Sequence, residues 1–225
     1  SDLVEVIDPV RYVSNRSSGK MGYAIAEALR DKGAIVTLIS GPTHLSLPEG
    51  INVVKVESAD DMFQAVTERF AKQDIVIKAA AVSDYTPMDI LEHKLKKQEG
   101  GLSVQFKRTK DILKYLGENK THQYLVGFAA ETQNIEQYAL DKLKRKNADV
   151  IISNNVGDTS IGFSSDDNEL TMHFKNNEKV YLNLNTLRTS SEDKCTNNFT
   201  RKTLPVVAKY HQLFEKTHIL KKVEI

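Results

Sequence analysis

The apolar residues of this chain recur at two periods. Met21, Ala24, Ile25, Ala28 and Leu29 fall at three- and four-residue steps, and Gly33 follows them. That spacing predicts an amphipathic helix, with Ser17 and Ser18 where a cap belongs and Gly33 as its stop. Residues 34–40 and 51–56 are β-branched and apolar runs, predicted as strands, and the first is closed by Gly41-Pro42. Ser58 with Asp61 has the form of a capping box, and Met62, Phe63, Val66 and Phe70 mark the buried face of the helix it opens. The continuous apolar run 74–80 suits a strand covered on both faces, as in a parallel sheet.

Further along, 88–97 is a polar loop and 102–107 alternates like a half-exposed strand. Thr109 is positioned to cap a helix whose Ile112, Leu113 and Leu116 face inward and which Gly117 ends. A strand over 124–128, a helix over about 134–147 and a strand over 149–154 come next. Residues 170–174 and 179–184 read as a hairpin around Asn176-Asn177. The stretch 188–198 is polar, and 203–216 has a helical apolar side with Pro205 near its start. Strands alternating with helices at this spacing predict an α/β fold, a doubly wound, mostly parallel, Rossmann-like sheet.

Composition narrows the partners. In 225 residues, Lys+Arg 31 against Asp+Glu 30 leaves almost no net charge, so a general nucleic-acid surface is disfavoured and a phosphate site must be built from local basic clusters. The length suits one sizeable α/β domain, or one domain with an appendage. The single cysteine, Cys195, excludes an intramolecular disulfide, fits a reducing cytosol and lies in a polar stretch with no nearby histidine to activate it. No apolar run approaches the roughly 20 residues of a membrane span and no signal peptide opens the chain, so a soluble cytoplasmic protein is expected. Scattered histidines support neither a zinc site nor a catalytic triad.

Four stretches carry candidate chemistry. Residues 8–22 run from an arginine-bearing segment through a polar turn into the first helix, whose mouth suits a phosphate or carboxylate; a plain capped helix explains the same pattern. Ala79-Ala80-Ala81-Val82-Ser83-Asp84 puts small residues and a carboxylate at the carboxyl end of a strand, where α/β folds bind ligands, although Asp84 also suits an ordinary turn. Lys94-Leu95-Lys96-Lys97 stands before Gly100-Gly101, as a loop able to close over polyphosphate or as a solvated surface run. Lys142 and Lys146 project from the apolar face of their helix, towards an anion or as a snorkelling pair. Two other readings remain open: Val56-Glu57 is a weak ribose-binding candidate for an NAD-type module, and Tyr138 with Lys142 has short-chain dehydrogenase spacing. Neither is preceded by a G-x-G-x-x-G run.

The run Asp8-Pro9-Val10-Arg11-Tyr12-Val13-Ser14-Asn15-Arg16-Ser17-Ser18-Gly19-Lys20-Met21-Gly22 resembles the signature of bacterial phosphopantothenoylcysteine synthetase. Ala79 to Asp84, the Lys94–Lys97 loop, Gly127-Phe128-Ala129-Ala130-Glu131-Thr132 and Lys142 to Asn147 are similar to further segments of that family, in its order. The resemblance implies a ligase that joins 4′-phosphopantothenate to L-cysteine through an acyl-cytidylate, using CTP with Mg²⁺. By it, Asn15 is catalytic and binds the activated acyl phosphate, while Ala80 and Ala81 offer backbone contacts to phosphopantothenate. Asp84 and Phe128 would sit with cytidine, Lys94 over the triphosphate, Asp111 and Ile112 by the nucleotide, and Lys142 and Lys146 on its phosphates or base edge. No metal ligand follows from the motifs.

The family also implies a homodimer, with a hairpin and flap region for dimerisation, and frequent fusion to an upstream flavin-dependent decarboxylase. Two departures stand out. Thr109-Lys110-Asp111-Ile112 replaces the family's Asn-Pro-Asp-Ile, and Ser1 to Ile7 is too short for the buried first strand and glycine turn that usually precede the opening motif. The ligase domain is expected over 1–186, followed by a polar linker and C-terminal segment, 187–225, to which the likeness assigns no role.

Overall fold

The computed structural model describes residues 3–97, 100–131, 134–155, 169–183 and 222–225. The expectations for 188–198, 203–216 and Cys195 lie outside the described residues. Along the chain come β1 (Val4–Val6), β2 (Tyr12–Ser14), α1 (Lys20–Asp31), β3 (Ile35–Ser40), β4 (Asn52–Lys55) and α2 (Ala59–Phe70). They are followed by β5 (Ile75–Lys78), β6 (Tyr85–Pro87), β7 (Phe106–Arg108), α3 (Ile112–Asn119), β8 (Tyr124–Glu131) and α4 (Ile135–Arg145). The last are β9 (Val150–Asn155), β10 (Glu169–Phe174), β11 (Lys179–Asn183) and β12 (Lys222–Glu224).

Eight strands form one sheet in the order β11-β10-β9-β8-β5-β12-β3-β4. The run from β9 to β4 is parallel, and the β10–β11 hairpin joins antiparallel at the β9 edge. Parallel strands need cover on both faces, and each face has a core. On one side Ile25, Ala26 and Leu29 of α1 pack over Val36, Leu38 and Ile77. On the other, Met62, Val66 and Phe70 of α2, Leu113 and Leu116 of α3, and Leu143 of α4 cover Ile39, Val76 and Ile151. The doubly wound α/β sheet expected from the alternation is therefore the one that forms.

Several local signals resolve differently. α1 takes its cap from Gly19, in the left-handed region at φ 71, with no side-chain cap, instead of from Ser17 or Ser18. α3 is capped by Asp111, whose carboxylate accepts from the Lys114 amide at 2.9 Å, whereas Thr109 donates its hydroxyl to the Ser83 carbonyl. Gly117 lies inside α3 and does not end it. β7 runs over Phe106–Arg108, so it overlaps the expected strand 102–107 only at Phe106 and Lys107, where it pairs with Pro87 and Thr86 of β6. The capping box at Ser58 and Asp61 forms as expected, with the Asp61 amide donating to Ser58 Oγ at 3.2 Å and the Ser58 amide to Asp61 Oδ2 at 2.9 Å.

The short opening segment is not a strand of the main sheet. β1 pairs antiparallel with β2 in a separate two-stranded ribbon. The middle of the sheet, between β3 and β5, is filled instead by β12 from the stretch expected as a C-terminal segment without a role. The amide of Ile39 donates to Ile225 O and that of Ile225 to Thr37 O, both at 3.0 Å, while Asp74 exchanges bonds with the Lys222 backbone at the strand's foot.

Candidate active site

A cleft of about 440 Å³ opens beyond the carboxyl end of β5 and is walled by the start of α3 and by α4. Its charge is uneven. Lys78, Arg108, Lys110, Lys142, Arg145 and Lys146 line it against Asp84 and Asp111. In a chain with nearly balanced charge, this is the local basic cluster that a polyanion site requires.

Each wall has a local reason. β5 ends at Lys78, whose ammonium donates to the Ala80 carbonyl at 3.1 Å. Burial, and then the neighbouring Lys142 charge, push the Lys78 pKa down to about 8, against the pull of Asp111 and Asp84. Asp111 occupies the α3 cap, so its Oδ1 faces the helix amides and its Oδ2 turns to the Lys146 ammonium. Burial opposes ionisation of Asp111, yet Lys146 and the Lys114 amide hold its pKa below the ordinary value. Lys142, on the cleft side of α4, donates to the Phe128 carbonyl at 2.8 Å and so straps α4 to β8.

Of the residues singled out in the sequence, Asp84, Asp111, Ile112, Lys142 and Lys146 line the cleft together. Asn15 is joined to it through the backbone, because its carboxamide donates to the Ala81 carbonyl at 3.1 Å, next to cleft-lining Val82. Ala80 and Phe128 border it through the carbonyls that hold Lys78 and Lys142. Lys94 is exposed and is not part of the cleft wall. A Cβ on Gly22 would make only ordinary protein contact, at 3.8 Å from Ala79 Cβ.

Arg108 and Lys78 are cleft cations that sequence reasoning misses, and Lys78 is the instructive case. Its signal is present, a single charge closing an otherwise apolar strand, but the run 74–80 reads as uniformly apolar when taken as a whole. Tyr138 and Lys142 both line the cleft, so their spacing is explained by a shared wall without redox chemistry. Among the described residues no group of three His, Cys, Asp or Glu side chains could hold a metal by itself, and no helix is long and apolar enough to cross a membrane.

Known proteins share this chain's sequence and fold. The chain is 53% identical over 179 residues to the coenzyme A biosynthesis bifunctional protein CoaBC of Bacillus subtilis strain 168, covering 79% of this chain and 44% of that protein. It therefore spans less than half the length of that relative. The crystal structure of the C-terminal domain of a CoaBC superposes with TM-score 0.74 at 42% identity, over 94% of this chain and 92% of that one. A Cab2 mutant in complex with phosphopantothenate-cysteine, at 15% identity and TM-score 0.72 over 97% of this chain and 86% of that one, shares the fold. Residues 3–195 match the model of the DNA/pantothenate metabolism flavoprotein C-terminal domain, and the chain belongs to that family.

Proposed function

We propose that this chain is a phosphopantothenate–cysteine ligase of coenzyme A biosynthesis, using CTP. The observation that carries the reading is the cleft itself, where six cations surround two carboxylates at the carboxyl edge of the sheet, next to Asn15. The phosphopantothenate carboxylate attacks the α-phosphorus of CTP, the P–O bond to pyrophosphate breaks, and an acyl-cytidylate forms. The cysteine amine then attacks the acyl carbon, CMP leaves with the former carboxylate oxygen, and the amine proton is released.

In this reading the chain contributes charge neutralisation and alignment. Lys78, Lys142 and Lys146 meet the phosphates, and Asp84 and Phe128 hold the cytidine. Ile112 packs by the nucleotide, and Asp111 holds Lys146 in place. Asn15 turns its carboxamide towards the acyl phosphate, beside the Ala80 and Ala81 backbone. Mg²⁺ would enter with the triphosphate, near Asp84, and would supply charge neutralisation; one or two carboxylates plus phosphate oxygens are a donor set that this ion takes. Lys94 belongs to this reading as a loop residue that closes over the triphosphate.

Val10, Tyr12 and Val13 on the β1–β2 ribbon and Met88, Ile90 and Phe106 around β6–β7 are exposed apolar residues, a surface suited to a second copy in a homodimer. The Bacillus subtilis relative is named bifunctional and this chain covers 44% of it, which fits a fused or associated flavin-dependent decarboxylase. The ligase domain expected over 1–186 takes in β12 as well, since that strand stands between β3 and β5 of its sheet, and a cytoplasmic location goes with the reading.

Mixing the protein with CTP, phosphopantothenate and cysteine and following pyrophosphate tests the activity; absence of CTP-dependent release would overturn it. Asn15→Asp is expected to accumulate the acyl-cytidylate and turn it over at least ~10-fold more slowly, since a carboxylate repels the phosphate that the amide serves. Quench-and-separate analysis of the nucleotide products reads this. Product at the normal rate would remove Asn15 from the mechanism.

Lys78 gives a pH signature. Its pKa of about 8 must rise when polyphosphate arrives, so CTP binding at about pH 8 takes up protons. Calorimetry in buffers of different ionisation heat should show this uptake, reduced in Lys78→Met. Unchanged uptake in that variant would assign the proton elsewhere.

A further inference from the structure

The Asp8 carboxylate is buried, and its two oxygens have different partners. Oδ1 accepts the amides of Val10 and Arg11, each at 2.8 Å, which closes the local turn. Oδ2 accepts the Arg11 guanidinium at 2.5 Å and the amide of Leu95, 87 residues away, at 3.1 Å. The same guanidinium donates to the Leu95 carbonyl, from Nη1 at 3.3 Å and Nη2 at 3.4 Å. A third tie lies just upstream, where the Leu91 amide donates to Ile7 O at 3.0 Å. Leu95 is thus gripped on both its N–H and its C=O by one ion pair, and it stands between Lys94 and Lys96 in the lysine loop.

We propose that Asp8 is a positioning residue: with Arg11 it clamps the backbone of Leu95 and so fixes the point from which the Lys94 side chain reaches the ligand. This rests on the reading above that Lys94 engages the triphosphate. Charge-assisted bonds from a buried carboxylate are the strong kind, and the planar guanidinium fork holds its carbonyl acceptor in a fixed direction. Burial opposes ionisation of Asp8, but the amides of Val10, Leu95 and Arg11 and the Arg11 guanidinium offset it and bring its pKa down to about 2. The clamp therefore stays charged throughout the neutral range. The opening motif then acts at two places. Asn15 serves the Ala81 side of the cleft, while Asp8 and Arg11, a few residues earlier, serve the lysine loop.

Asp8→Asn separates the turn from the clamp. The amide oxygen can still accept from Val10 and Arg11, but its NH₂ would confront the Leu95 amide and the guanidinium, donor against donor. Trypsin cuts after lysine, so digestion well below the melting temperature reports directly on Lys94, Lys96 and Lys97. Cleavage there is expected to rise about tenfold in Asp8→Asn, the effect of losing one charge-assisted bond, with other sites unchanged. The KM for CTP is expected to rise by a similar factor with kcat nearly unchanged, and Lys94→Met should add little to Asp8→Asn, because both remove the same contact.

Unchanged digestion at 94–97 overturns the clamp. Fully additive effects of Asp8→Asn and Lys94→Met on KM overturn its action through Lys94. An inactive wild-type protein whose Asp8→Asn variant still digests faster at the loop would sink the ligase reading and leave the clamp standing. Should Asp8→Asn not fold, Arg11→Lys carries the same test, since it keeps the charge beside Asp8 and loses the fork on the Leu95 carbonyl.

Discussion

Gly117→Ala is expected to destabilise the protein by about 3 kcal/mol or more, although the same change in an open helix would stabilise it by about 1 kcal/mol. A Cβ on Gly117 would lie 1.7 Å from the Lys146 carbonyl oxygen, 2.8 Å from its carbon and 3.3 Å from Asn147 Cβ. The obstacle is backbone at the end of α4, not the tip of a flexible side chain, so α3 and α4 must separate. Asn147 reinforces the approach by donating its carboxamide to Gly117 O at 2.8 Å. Separation would also move Lys146 away from Asp111, so the cleft loses an ion pair in the same step. Urea denaturation should show a lower midpoint, and CTP affinity should fall with it. Gly33→Ala is the control. Gly33 has φ +87 but nothing within 4 Å of an added Cβ, so it should cost only about 1 kcal/mol of backbone strain. A Gly117→Ala protein as stable as wild type would refute the close packing.

The same glycine shows where local reading fails. In sequence, Gly117 follows an apolar helical stripe and reads as a stop; what places it is the neighbouring helix, about 30 residues away, and no window of sequence contains both. The Ser58 capping box, by contrast, is complete within four residues, and it forms as expected. The turn at Asn176-Asn177 is likewise local, and Asn177 takes φ 65, which asparagine tolerates. At α1 two local signals compete, and the left-handed glycine displaces the serines because only Gly19 can hold φ 71 without strain.

The cleft is legible where spacing alone puts side chains on one helix face, as with Lys142 and Lys146. It is illegible at Lys78, where averaging over an apolar run hides one charge, and at the Asp8–Leu95 contact, which joins segments 87 residues apart. The position of β12 in the sheet is the most non-local fact of all. Lys-Lys-Val-Glu-Ile has two cations and a carboxylate among five residues and gives no sign of a central strand.

That carboxylate, on Glu224, lies inside the apolar layer between the sheet and α2. Glu224 pairs with Thr37 of β3 and Val76 of β5, and Val76 packs on the face covered by α2. Glu224 is 1% exposed, and neither of its oxygens has a hydrogen-bond partner among the described residues. The strand neighbours bring no charge to it. From α2, only the Arg69 guanidinium acts on it, at a distance, while bonded to the Ala65 carbonyl and to Glu68. Burial pushes the Glu224 pKa up to about 8, against that pull.

A group whose pKa is raised by folding holds its proton more tightly in the native state, so its penalty is absent below the unfolded value of 4.5 and grows as pH rises towards 8. At pH 7 that difference corresponds to about 3 kcal/mol. Glu224→Leu should therefore be more stable than wild type by about that amount at neutral pH, since it replaces an unpaired acid in an apolar layer with a side chain of similar size. The gain should shrink below pH 5 to the smaller benefit of apolar packing alone, and reach its maximum above pH 8. Denaturant midpoints of both proteins across pH 5 to 9 measure the difference directly. A gap that stays constant with pH, or a variant weaker than wild type at pH 8, would mean that Glu224 is paired in solution and that β12 does not hold a buried acid at the centre of the sheet.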